Sequence, residues 1–149
     1  MKNKRKNFII IAVILFAGIL LFFSPKVSKA ISKSSTFSYV KNNQTELTEA
    51  ANKIISGDAG YSYNHDKYIV YYFAASPKPI VEFVGYSFGI APSVFYTGFY
   101  YSPENIPVRF QGSGTAMEPY KNGWAYIEMG NQGYTQKICD NWYWFEFYF

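Results

Sequence analysis

This 149-residue chain has a single cysteine and a single histidine. Cys139 alone cannot form an intramolecular disulfide, so the fold must hold without covalent cross-links. One imidazole and no acidic cluster argue against a metal site, and no cofactor is expected. A nucleophile pair of Cys139 and His65 lacks any surrounding cysteine motif, so no catalytic residue is assigned. His65, in Asn64-His65-Asp66, reads instead as a surface turn residue. Gly112-Ser113-Gly114 is too short for a phosphate loop and lacks the strand-to-helix setting. Leucine is scarce too: after residue 30 only Leu47 remains. A core drawn from Phe, Tyr, Val and Ile suits sheets better than helix bundles.

What the chain does have begins at its front. Met1-Lys2-Asn3-Lys4-Arg5-Lys6 is followed by an unbroken apolar run from Phe8 to Phe23, then Ser24-Pro25, then Ser28-Lys29-Ala30. Charged, apolar and small-residue regions in that order predict a bacterial export signal, cut between Ala30 and Ile31. At sixteen residues the run is shorter than the roughly 20 a spanning helix needs. The competing reading is an uncleaved anchor. Either way residues 31–149 are expected outside the cytoplasm, secreted or on the extracellular face of the cell membrane. Membrane contact is then expected only through residues 8–23, if they are kept. No cysteine follows the run to carry a lipid.

Removing residues 1–30 also reverses the charge. Six of the fourteen basic side chains lie there, which leaves eight against ten acidic ones, a formal net of −2. A chain without basic excess is not expected to bind nucleic acid. About 120 residues suffice for one core and not for two.

Residues 31–43 are rich in Ser, Lys, Asn and Thr and read as a polar spacer with a short strand at 36–40. Residues 44–149 read as one globular β-rich domain. It opens with an amphipathic helix at 44–56, where Leu47, Ala50, Ala51, Ile54 and Ile55 form one stripe. Asn43 and Glu46 fit a capping box, and Gly57 fits the C-terminal stop. Strands are predicted at 67–75, 80–90, 93–101, 108–111, 124–129, 134–139 and 142–149, with loops at 112–114 and 118–123. The expected fold is mainly β with some α: a small antiparallel sheet or β-sandwich of about six to eight strands, with the helix packed on it.

The last three strands allow a register argument. A two-residue turn at Asn131-Gln132 pairs Glu128 with Thr135, Tyr126 with Lys137 and Trp124 with Cys139. A second turn at Asp140-Asn141 pairs Cys139 with Trp142 and Lys137 with Trp144. Alternation then gathers Trp124, Tyr126, Glu128, Lys137, Trp142, Trp144 and Glu146 on one face, with Ile127, Tyr143, Phe145 and Phe147 on the other. An aromatic platform edged by carboxylates suits stacking against sugar rings or gripping a peptide. The competing reading is that the helix covers this face and the Trp residues are ordinary core.

The expected role is a non-catalytic binding domain whose partner is cell-wall glycan or another extracellular protein. A glycan-acting hydrolase using Glu128 and Glu146 as paired carboxylates is an alternative class. A third follows from the end of the chain: alternating Tyr143, Phe145, Phe147 and Phe149 resembles the closing strand of bacterial outer-membrane β-barrels, which implies a small barrel.

Overall fold

The computed structural model describes residues 25–57, 62–74, 78–113 and 117–149. The basic start and the apolar run 8–23 lie outside the described residues. The chain divides into two units, 1–35 and 36–149. Helix α1 (Pro25–Asn42) begins in the first and ends in the second. Proline suits a helix start, where its missing N–H would have no partner in any case. The expected cleavage point, Ala30–Ile31, falls within α1. Among the described residues no helix is long and apolar enough to cross a membrane.

The polar spacer and the strand at 36–40 are corrected by this helix. Thr36 and Val40 lie one turn apart and are buried, with Phe37 and Tyr39 packed beside them. So few apolar positions among Ser, Lys and Asn leave no periodicity to read. The second helix, α2 (Gln44–Ile55), lies where the stripe put it and buries Leu47, Ala51 and Ile54. Its expected capping box does not form. Asn43 instead turns back, and its Nδ2 donates to the Tyr39 carbonyl at 2.8 Å, closing α1. Gly57 ends α2 at φ +87°, a left-handed conformation that costs glycine little.

The strands are β1 (Ser62–His65), β2 (Tyr68–Phe73), β3 (Ile80–Ile90), β4 (Ser93–Tyr101), β5 (Glu118–Tyr120), β6 (Gly123–Glu128), β7 (Asn131–Cys139) and β8 (Trp142–Tyr148). All eight join one antiparallel sheet in the order β1-β2-β3-β4-β8-β7-β6-β5. Among the described residues the architecture is thus an eight-stranded antiparallel sheet with two helices. Two four-strand meanders meet at β4 and β8, and among the described residues β1 and β5 stand at the two ends of the strand order. Residues 108–111, expected as a strand, form part of a segment that crosses the sheet, with a 3-10 turn at Phe110–Gly112.

Each face of the sheet has its own core. On the helix face, Val40, Leu47, Ala51 and Ile54 pack on Val70, Phe83, Phe99, Trp142 and Trp144. On the other face the segment 102–113 lies as a strap, and Ile106, Val108, Phe110 and, beyond it, Met117 pack on Tyr100, Tyr143, Phe145 and Phe147. The rings that resembled a barrel's lipid-facing row therefore lie under a strap, inside the protein.

Candidate functional site

The register of the last strands decides where the expected platform goes. The β6–β7 turn is Met129-Gly130, with Glu128 paired to Asn131, Tyr126 to Gly133 and Trp124 to Thr135. Met129 at φ +49° and Gly130 at φ +87° give the two positive-φ residues that a tight hairpin turn requires. The expected Asn131-Gln132 turn lies within β7. The Asp140-Asn141 turn is where it was predicted and pairs Cys139 with Trp142. Between Lys137 and Cys139, however, β7 carries a bulge, so Lys137 faces Tyr143 and Gln136 faces Trp144. One extra residue exchanges the two faces of β8 relative to β7.

This divides the seven expected contact residues. Trp142 and Trp144 are buried on the helix face, and Trp142 Nε1 donates to Thr48 Oγ1 of α2 at 3.2 Å. Glu146 lies on that same face, paired with Thr97 of β4 and Tyr134 of β7. Trp124, Tyr126 and Glu128 lie on the strap face. Trp124 is half-buried, with its ring edge-on to Tyr143 at 6.1 Å. Lys137 is tied to Asp140 at 2.9 Å, an exposed pair that holds the Asp140 carboxyl below its usual range. No single aromatic platform exists, and Glu128 and Glu146 stand on opposite faces rather than as a carboxylate pair.

On the strap face a polar cluster takes the platform's place. The Arg109 guanidinium lies over the Tyr126 ring, 4.0 Å from its centre, and Nη1 reaches Glu128 Oε2 at 2.5 Å. Burial raises the Tyr126 hydroxyl pKa. Glu82, near the start of β3, is fully buried, and Gln111 of the strap donates its N–H to Oε1 at 2.6 Å. Loss of solvation pushes the Glu82 carboxyl up to about 8, against the lowering effect of that hydrogen bond. The Tyr100 hydroxyl accepts the Val108 N–H at 3.0 Å, lies 3.1 Å from Thr135 Oγ1, and is raised by burial. These contacts fasten the strap. Glu82, Arg109 and Tyr126 are buried in the cluster, and Glu128 is exposed at its rim.

The open surface lies elsewhere. β2 pairs with β3 only as far as Ile69–Val84, and a bulge at Gly85 sets the rest of β3 free of it. Gly85–Ile90 is exposed throughout, with Tyr86 54 %, Phe88 70 % and Ile90 87 % accessible. Their side chains point to the helix face of the sheet, in register with Thr97, Phe95 and Ser93 of β4. Tyr86, Phe95 and Tyr148 make a row of rings, with centres 6.4 and 4.7 Å apart. Ile127 and Met129 are exposed at the far end of β6. From Phe83 to Pro103 there is no Asp, Glu, Lys, Arg or His. A long charge-free stretch around an Ala91-Pro92 turn was the available sequence signal for this hairpin. Scattered surface apolar residues are ordinary, but a contiguous patch on a projecting hairpin marks a contact site.

Cys139 is half-buried, and burial raises its thiol pKa, which disfavours the nucleophilic thiolate. His65 packs edge-on to Phe83 at 5.9 Å rather than standing free in a turn. Among the described residues no group of His, Cys, Asp and Glu is arranged to hold a metal ion.

Fold and surface together define a helix-backed antiparallel sheet with a strapped rear face and a projecting apolar hairpin. The chain matches no protein-family model, no curated protein and no solved structure.

Proposed function

We propose that the protein is an exported, non-catalytic interaction domain that works at the cell surface. Its contact surface is the β3–β4 hairpin, and its partner is another protein chain. One observation carries this reading: a charge-free hairpin with Tyr86, Phe88 and Ile90 exposed where a soluble hairpin would carry polar residues. The export pattern of the first thirty residues supplies the location. A glycan partner is less well supported, because stacking on sugars by the Trp residues needs rings that here are buried or half-buried.

The test uses the full chain with a C-terminal tag in bacterial cells. Protease added to intact cells is expected to remove the tag, and the chain is expected to stay with the cell surface after washing. Phe88→Lys combined with Ile90→Lys is expected to release most of it into the wash while leaving it folded. A tag protected in intact cells overturns the location. Retention unchanged by the two lysines overturns the contact surface.

A further inference from the structure

The hairpin offers more than an apolar face, because its outer strand is also an open sheet edge. Beyond Val84 nothing among the described residues pairs with β3 on the side away from β4. A strand edge presents unpaired N–H and C=O groups, and proteins ordinarily blunt it with a charge or a proline. Gly85–Ile90 reads Gly-Tyr-Ser-Phe-Gly-Ile and has neither, and its one bulge, at Gly85, lies at its start, ahead of Tyr86 to Ile90. We infer that this edge joins two copies of the chain, with β3 of one pairing antiparallel to β3 of the other about a two-fold axis at Phe88.

Three arguments select that occupant, and they rest on the reading of the hairpin as the contact surface. Open backbone groups disfavour a lipid bilayer, where they would find no partner, and favour another strand, which satisfies them. Antiparallel pairing of this strand with itself is self-complementary. Phe88 meets Phe88 of the second copy, and Tyr86 meets Ile90, so apolar side chains oppose apolar ones on one face. Ser87 and Gly89 fall on the other face and are small. The absence of charge from Phe83 to Pro103 lets two identical edges approach without repulsion.

Size then sets the strength. At these exposures the three side chains offer roughly 400 Å² per copy. Two copies reach about 800 Å², below the ~1,200 Å² of stable complexes. The pair is therefore reversible and depends on crowding at a surface.

Cross-linking in the full chain tests this directly. In a Cys139→Ala background, Phe88→Cys places two thiols on facing positions, about 4.5–5.5 Å apart at Cα, within disulfide reach. Copper–phenanthroline, a mild thiol oxidant, added to cells should convert much of the chain to a disulfide-linked dimer. Tyr86→Cys and Ile90→Cys should each cross-link poorly alone and well when co-expressed. Lys121→Cys, on a distant turn, should remain monomeric. No dimer at Phe88→Cys, or equal dimer at Lys121→Cys, overturns the pairing. If cross-linking fails while the lysine variants still leave the cell surface, self-pairing alone falls. If both fail, the hairpin is not the contact surface.

Discussion

The Gln111 N–H donates to Oε1 of Glu82 at 2.6 Å, and Oε2 of the same carboxyl is buried with no hydrogen-bond partner. Gln111 holds a left-handed backbone conformation, φ 58°, to make this contact. A single donor does not compensate the removal of a charge from water, so the carboxyl is held neutral.

A pH dependence follows. The folded pKa of about 8 lies above the usual value of 4.5, so the stabilising contribution is complete below about 4.5. It is lost as pH rises towards 8, by up to roughly 5 kcal/mol. Urea unfolding between pH 5 and pH 9 should therefore show wild-type stability falling, with Glu82→Gln much flatter. Equal slopes for the two would show that Glu82 is charged in the fold.

The Trp residues of β8 should behave as core. In a Trp124→Phe background, acrylamide should quench the remaining fluorescence weakly, with emission shifted to the blue. Trp142→Ala should cost about 3–5 kcal/mol, as large-to-small changes in packed cores do. Strong quenching by acrylamide would place these rings in solvent.

The β6–β7 turn makes a further prediction. Met129 sits at φ +49°, a conformation that asparagine tolerates far better. Met129→Asn should raise stability by roughly 0.5–1 kcal/mol in thermal unfolding. Gln132→Gly, which would help a turn at Asn131-Gln132, should instead weaken β7. The reverse ranking would restore the register expected from sequence.

Thr135 is buried between the strap face and the sheet backbone, and its hydroxyl donates to the Trp144 carbonyl at 2.8 Å. Thr135→Val keeps the shape but removes the Oγ1 beside the Tyr100 hydroxyl, which is left with the Val108 N–H alone. It should cost about 1–3 kcal/mol, measured by denaturant midpoint at constant m-value.

Much of the secondary structure was legible because its signals are local. β3 and β4 lie at their predicted bounds, α2 follows the spacing of Leu47, Ala51 and Ile54, and Asp140-Asn141 is the expected turn. The candidate site was not. Two glycines flank Asn131-Gln132, so more than one turn fits, and the wrong one moves every pair on β6. The bulge before Cys139 leaves no mark in residue types, yet it carries Trp142 and Trp144 to the opposite face. Glu82 and Arg109 were unreadable because their burial depends on a strap that looks like an ordinary loop. Tyr86 and Phe88 were read as strand residues, correctly, but nothing local says that β2 stops short of them.

The order of strands has a consequence for how the chain folds. Within β1–β4 and within β5–β8 every partner is a sequence neighbour, whereas β4 and β8 join residues more than forty positions apart. Local hairpins close quickly and the long-range junction closes late. The two halves are therefore expected to form first and to dock along β4 and β8 in the slow step. The strap sets the loop entropy of that step, and doubling its length should cost only about 0.6 kcal/mol. Cut within the strap, the chain becomes two fragments, each holding four consecutive strands, that should find one another in solution and rebuild the sheet.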